Sequence, residues 1–343
     1  MKQYRVGIAG YGVVGRRRHQ FINQNSLLNV VSVCDVTMAE GKLEREDVRV
    51  YTDYQKMIRE EKLDILFVCL TNDVAAHATI LGLKNGCHVF CEKPPGRNLQ
   101  EVSEVIKTEK LNPNLKLKYG FNHRYHDSVR EALKIVKSGE YGKIINIRGV
   151  YGKSTIVSVE NGWRANREIA GGGILLDQGI HMVDLIRLFA GEIDEIKSYV
   201  SNSYWNLEVE DNAFALMKSN SGVIIQFQST ATEWRHRFNL QINLEKGTLV
   251  LSGILSGSKS YGQETLTIFP QDIQSGGNPK TETVNYLEDN SWRDEINEFA
   301  KCVNEYIPVQ TGSSSDAYET LKLVYRIYFE DAEWRNKYNI KVE

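Results

Sequence analysis

At 343 residues the chain is long enough to bury a large core, and two domains are a better expectation than one. Its 41% hydrophobic and 25% charged residues and its formal charge of -2 are those of an ordinary soluble globular protein, with no basic field to hold nucleic acid or an anionic membrane surface. No apolar run approaches the roughly 20 residues of a membrane span. Met1-Lys2-Gln3-Tyr4-Arg5 leads straight into a strand pattern, leaving no signal peptide, and five cysteines without framework spacing fit reduced thiols in a cytoplasm.

In the first element a short apolar run, Val6, Ile8 and Ala9, meets Gly10-Tyr11-Gly12-Val13-Val14-Gly15, and a helical pattern carrying Val13, Val14, Phe21 and Ile22 follows. Strand, tight turn and helix start in that order hold a pyrophosphate. Gly10 permits the turn, Gly12 lets phosphate oxygens approach the backbone, and Gly15 lets helix and strand pack closely. Backbone N–H groups along Gly10 to Gly15 and the positive helix end face the anion. Asp35 ends the next apolar run, Val30, Val31 and Val33. A carboxylate there takes both ribose hydroxyls and repels a 2′-phosphate, so NAD is expected over NADP. Arg16-Arg17-Arg18 opposes the helix dipole unless an anion lies beside it. Arg16, next to the fingerprint, is the expected phosphate contact, and a solvated face is expected for at least two of the three.

A charged, loop-like stretch then runs to Arg49. Val50-Tyr51-Thr52 reads as a short strand, and Asp53 caps a helix burying Tyr54, Met57 and Ile58. Ile65 to Leu70, nearly all apolar, reads as a central parallel strand covered on both faces. A helix from about Asp73 stops at Gly86, strand His88 to Cys91 follows, and Asn98 with Glu101 makes a capping box for a helix burying Leu99, Val102 and Val105. Alternation puts Cys87 and Cys91 on one face of that strand and His88 on the other, which argues for buried thiols over a metal site. Strands alternating with helices up to Gly120 predict an α/β Rossmann domain with a doubly wound parallel sheet. Open parallel sheets bind ligands at the carboxyl ends of their strands. Those ends carry the glycine turn, Asp35, Thr71-Asn72 and Glu92-Lys93-Pro94-Pro95, and Lys93, restrained by two prolines, aims its side chain at the ligand edge.

Beyond Gly120 the pattern changes. Phe121-Asn122-His123-Arg124-Tyr125 leads into an amphipathic helix (Val129, Ala132, Leu133, Val136) capped at Gly139. Strand-like runs follow at Ile144 to Val150, Ile196 to Val200, Ala213 to Met217, Val223 to Ser229, Phe238 to Leu244, Thr248 to Leu251 and Leu266 to Phe269. They predict an α+β second domain with a large, mainly antiparallel open sheet, whose free face is covered by another subunit in a homodimer or homotetramer. Ser252 to Tyr261 and Ser275 to Pro279 read as loops. A final helix, about Ser315 to Lys337, is expected to cross the domain junction. The expected ranges are 1–121, 122–312 and 313–343.

One segment breaks the sheet pattern: Gly171-Gly172-Gly173 and then Asp177-Gln178-Gly179-Ile180-His181. Asp177 and His181 share a helix face if the helix running to Phe189 has begun by Asp177. A histidine tuned by a carboxylate suits the proton half of an alcohol/ketone redox reaction; the alternative is a capping aspartate and a core histidine.

Here the sequence resembles the glucose-fructose oxidoreductase / inositol dehydrogenase / MocA (Gfo/Idh/MocA) family of NAD(P)-dependent sugar oxidoreductases. Gly10 to Gly15 matches its fingerprint, His77 with Gly86, His88-Val89 and Glu92-Lys93-Pro94 its EKP passage, Phe121 to Arg124 the opening of its second domain, and Asp177 to His181 its active-site segment. The resemblance implies that Lys93 binds the reacting hydroxyl and helps set the proton-transfer pKa, that His181 is the general acid/base, and that Asp177 orients substrate or assists that transfer. It also implies that Asn122, Arg124, Trp163 and Arg164 line the sugar pocket, that Glu92 and His77 belong to the cofactor passage, and that Asp211-Asn212-Ala213 enters a strand. Thr71-Asn72 departs from the family's usual Thr-Pro, and Pro95 from its usual aliphatic residue. Ala231 to His236 and the loop at 256–260 resemble members from surface-polysaccharide gene sets, which hints at a nucleotide-linked sugar. The resemblance leaves open a bound NAD used transiently in a lyase, epimerase or glycosidase cycle, or a non-catalytic regulator.

Overall fold

The computed structural model describes residues 3–43, 47–155 and 162–342. Met1 and Lys2 of the expected leaderless start, and residues 44–46 of the expected charged loop, lie outside the described residues. The first half alternates as β1 (Tyr4–Ala9), α1 (Val13–Ile22), β2 (Leu28–Cys34), β3 (Gly41–Lys42), β4 (Arg49–Tyr51), α2 (Tyr54–Glu60), β5 (Ile65–Val68), α3 (Asn72–Lys84), β6 (His88–Glu92), α4 (Leu99–Lys110) and β7 (Leu117–Gly120). The strands lie in the order β3-β4-β2-β1-β5-β6-β7, parallel except where β3 meets β4. Local chemistry sets the ends: Asp53 accepts from Gln55 N and Asn98 from Glu101 N. The expected capping box is half formed, because the Glu101 carboxylate turns to Arg97 N and Nε instead of returning to the cap.

The second sheet follows α5 (Asp127–Ser138), which Gly139 ends in the left-handed region. Next come β8 (Ile144–Gly152), α6 (Arg167–Ala170), α7 (Ile180–Ala190), β9 (Ile193–Ser201), β10 (Asn212–Ser219), β11 (Ile224–Thr230), β12 (Arg237–Leu244), β13 (Gly247–Ser252), β14 (Glu264–Pro270) and β15 (Glu282–Tyr286). Their order is β15-β14-β13-β12-β8-β11-β10-β9, antiparallel except for β8 with β11. The sequence reading omits β15, which has no buried face to give alternation. One side of the sheet packs on α7, so closely that a Cβ at Gly149 would stand 2.8 Å from Met182 Sδ. The Arg167–Ala190 stretch is long and apolar enough by length and composition alone to span a bilayer, but 83% of its most apolar window is buried in the fold, as in a core helix.

The chain ends with α8 (Ser291–Asn304), α9 (Ser314–Glu330) and α10 (Ala332–Tyr338). The expected single helix is two, because Asp331 caps α10 through Trp334 N and also accepts from Val200 N. Packing divides the chain into two compact units: 1–122 with 168–171 and 292–321, and 123–167 with 172–291 and 322–343. The first division falls one residue from the expected boundary. The units are not contiguous ranges, however. α8, absent from the sequence reading, belongs with the parallel sheet, where Ile296, Phe299, Ala300 and Val303 share a core with Val6, Ile8, Phe67 and Phe90; the other division falls within α9.

Candidate active site

In the first unit, Gly10 N donates to Cys34 O (2.9 Å), Asp35 N to Tyr51 O (3.0 Å) and Cys69 N to Ala9 O (2.7 Å). These bonds set the glycine turn, Asp35 and the end of β5 side by side at the switch point of the sheet, where such folds leave a crevice. Gly10 has φ +89°, and a Cβ there would stand 2.3 Å from Cys69 O. A Cβ at Gly15 would stand 2.0 Å from Gly10 O, whereas one at Gly12 would meet nothing within 4 Å. α1 starts at Gly12 without a side-chain cap, and Val13 is 80% exposed. An open glycine, an uncapped helix start and bare apolar surface fit a bound dinucleotide. They also explain why Val13 stays out of the core that its helical pattern led us to expect.

Asp35 is built into that turn. Its carboxylate accepts from Tyr11 N (3.1 Å), Thr37 N (3.0 Å) and Thr37 Oγ1 (2.7 Å). Burial draws its pKa up, but the Thr37 and Tyr11 bonds and the Arg16 charge outweigh this and hold it below the ordinary aspartate range. Exposed Arg16 donates from Nε to Tyr11 O (3.1 Å). Of the three arginines Arg16 is exposed, Arg17 is half-buried and Arg18 is fully buried. Arg18 Nε donates to Glu92 Oε1 (2.6 Å) and its Nη2 to Glu295 Oε2 (2.7 Å), with the guanidinium between the rings of Phe90 and Trp292.

In the second unit the Gly172 to His181 segment is held from below. Glu210 accepts from Gly173 N (2.8 Å), Leu175 N (3.0 Å) and Tyr328 Oη (2.6 Å). Burial raises the Glu210 carboxyl despite these donors. The segment then winds as a π-helical turn, Leu175–Gly179, before α7 begins. Asp177 and His181 therefore lie about one turn apart, on wider winding than the expected α-helix; such turns recur at functional sites. Arg164 Nε reaches Asp177 Oδ1 (3.3 Å) and its guanidinium lies over the Trp163 ring. His181 is buried and stacks on His123, ring centroids 3.8 Å apart.

The family models for the NAD-binding Rossmann fold of the oxidoreductase family GFO_IDH_MocA and for the GFO/IDH/MocA C-terminal domain match residues 4–121 and 129–250, together more than half of the chain. The chain belongs to the GFO/IDH/MocA family. It is an oxidoreductase, and its cofactor is NAD. D-glucoside 3-dehydrogenase of Escherichia coli K12 is 26% identical over 351 residues, covering 94% of each chain. Inositol 2-dehydrogenase of Salmonella typhimurium LT2 is 23% identical, covering 74% of this chain and 75% of that one. The fold is that of a levoglucosan dehydrogenase solved with NADH: TM-score 0.85, 18% identity, covering 97% of this chain and 98% of that one.

Within this GFO/IDH/MocA chain the structure brings Gly10 to Gly15, Arg16 and Asp35 together in one unit, and Trp163, Arg164 and Asp177 in the other. Several expected contacts have structural partners. Glu92 is held by Arg18, and Asn72 Nδ2 donates to Ala170 O (2.7 Å) beside Thr71, which starts α3 without a side-chain cap. His77 is exposed and pairs with Tyr54 on α2 (2.9 Å). Arg124, expected in the sugar pocket, forms a two-pronged ion pair with Asp184 of α7 (2.6 and 2.5 Å). Lys93 is half-buried at the end of β6, and Asn122 is buried at the start of a 3-10 turn. The sequence reading misses the roles of His123, Tyr151, Gln178 and Tyr261. His123 Nε2 bonds the Tyr151 hydroxyl (3.0 Å), and Gln178 Nε2 donates to Tyr261 Oη. Their signal was the polar residues embedded in FNHRY and DQGIH; Tyr261 closes a stretch read as loop, yet is buried.

Proposed function

We propose that this protein oxidises a sugar CH–OH, or reduces the corresponding ketone, with Lys93, Asp177 and His181 managing the reacting oxygen and its proton. NAD, when bound, accepts or donates the hydride. Gly10 to Gly15 cradle the pyrophosphate, with Arg16 on a phosphate and Asp35 on the ribose hydroxyls; Thr71, Asn72, His77 and Glu92 shape the same edge. The Lys93 ammonium hydrogen-bonds the reacting oxygen. His181 takes the hydroxyl proton in oxidation and returns it in reduction, and Asp177, steadied by Arg164, orients the sugar. Trp163 and Asn122 border it, and Arg124 contributes by anchoring α7. The observation that supports this reading is the π-helical turn that carries Asp177 and runs directly into α7, where His181 is buried, in a chain whose relatives include glucoside and inositol dehydrogenases.

The exposed face of the second sheet supports a homodimer or homotetramer. Tyr199 and Phe214 pair across β9 and β10, with Leu216 and Ile224 beside them, all exposed on one face. The resemblance of Ala231 to His236 and of the loop at 256–260 to members from surface-polysaccharide gene sets is the ground for including nucleotide-linked sugars among the substrates; the two stretches meet where His236 Nδ1 bonds Ser260 Oγ (2.7 Å). All five cysteines are unpaired, and burial pushes the thiols of Cys34, Cys87 and Cys91 up to about 12. Thiols of this kind favour a reducing cytoplasm.

The test mixes the protein and NAD with glucosides, inositols and nucleotide-linked sugars and follows NADH formation. Turnover with at least one sugar is expected, falling by a factor of about 100 or more in Lys93→Ala and His181→Ala while NADH still binds. Wild-type turnover in His181→Ala overturns the proton assignment, and no turnover with any of them overturns the substrate class.

A further inference from the structure

We propose that His123 is a positioning residue for His181: anchored on Tyr151, its imidazole fixes the plane of the His181 ring and sets how readily that ring takes a proton. This rests on the reading of His181 as the proton acceptor and donor, and concerns residues that the reading does not use.

The two rings lie face to face, with centroids 3.8 Å apart and planes 14° from parallel, and both side chains are buried, at 7% and 6% exposure. At that separation the rings are in van der Waals contact, so His181 cannot rotate without displacing His123. His123 is itself held, by the Tyr151 hydroxyl on Nε2 (3.0 Å), by the edge of His126 at 5.4 Å and by Phe238 at 6.0 Å. Tyr151 stands at right angles to Phe238, 5.3 Å away.

The charges around the stack favour a neutral His123. Burial keeps Tyr151 protonated well beyond the ordinary phenol range, so the hydroxyl bonded to His123 Nε2 is uncharged and offers no counter-charge to an imidazolium there. His126, at the start of α5, is bonded through Nδ1 to the Glu264 carboxylate (2.7 Å). Arg124, next in the 3-10 turn, is neutralised by Asp184 of α7. Asp177 of the π turn is paired with Arg164, and Tyr261, near Tyr151, is likewise kept protonated by burial. A neutral ring laid on an imidazolium favours the cation, whereas a charged His123 would repel it.

The experiment titrates the histidine ring C–H signals by NMR in the NADH-bound protein, for wild type, His123→Leu, His123→Phe and Tyr151→Phe. In parallel, kinetics use the sugar turned over fastest in the screen above. His123→Leu is expected to lower the His181 midpoint by about half a pH unit or more and kcat about ten-fold, with KM nearly unchanged. His123→Phe keeps the stack and is expected to restore most of kcat. Tyr151→Phe removes the anchor on His123 Nε2 and is expected to shift the midpoint in the same direction as His123→Leu, by loosening the stack. A His123→Leu protein with wild-type midpoint and kcat overturns the proposal, as does equal loss in the Leu and Phe variants with no shift. Full activity in His181→Ala overturns the acid–base reading, and with it the part of His123 in the reaction; an inactive His181→Ala with no midpoint shift in His123→Leu overturns the positioning alone.

Discussion

Replacing Glu295 by Gln is expected to stabilise the protein above pH 7 and to leave it unchanged below about pH 4.5, where the free carboxyl is protonated as well. Glu295 is fully buried and accepts from Arg18 Nη2 at 2.7 Å. Burial outweighs the attraction of Arg18 and Lys118 and raises its carboxyl from 4.5 to about 7. A folded-state pKa above the unfolded one means that the native protein keeps a proton the unfolded chain has released. The stability this contributes is complete below pH 4.5 and is lost as pH rises through 7. The rise from 4.5 to about 7 corresponds to about 3 kcal/mol. Gln keeps the shape and the acceptor oxygen without the charge. Urea unfolding between pH 5 and 8, followed by tryptophan fluorescence with Trp292 against Arg18, measures the difference. Parallel curves for the two proteins would refute the reasoning. A variant less stable at pH 8 by the roughly 3–5 kcal/mol of a broken buried pair would reverse its sign.

Asp35→Asn is expected to weaken NADH by about 1.5–3 kcal/mol, the worth of a charged hydrogen bond, and to narrow the preference over NADPH; titration of both by nicotinamide fluorescence checks it, and an unchanged ratio would place selectivity elsewhere. Gly12→Ala and Gly15→Ala should separate binding from folding. The first has open space for its Cβ and is expected to keep its melting temperature while losing NADH affinity; the second drives its Cβ into Gly10 O and is expected to melt early, by circular dichroism. Leu216→Glu, on the exposed sheet face, is expected to lower the mass seen by light scattering towards the monomer without changing the melting curve of the monomeric fold.

Much of the cofactor edge was readable because its demands are local: Gly10, Gly12 and Gly15 answer to one turn, and Asp35 to the end of one strand. The three arginines that follow show where such reading stops. They are consecutive, so a helix turns each about 100° from the last, and one stretch of charge is divided among three environments. Arg16 is exposed beside the turn, Arg17 lies against Trp292, and Arg18 points into the core. No local pattern marks Arg18, because the groups that make its burial tolerable, Glu92 and Glu295, are 74 and 277 residues away. Asp331 failed to read as a break for a related reason: the periodicity runs on through it, and its second partner, Val200 N, is 131 residues distant. His123 is the same case in the candidate site. In sequence it is one polar residue before Arg124; only the pairing of β8 with β11 and β12 and the winding of 175–181 set Tyr151 and His181 against it. Residue type therefore shows which groups can carry charge or a proton, while their availability to a ligand depends on partners that only the fold assembles. That is why the phosphate contact we propose falls to exposed Arg16 and not to buried Arg18.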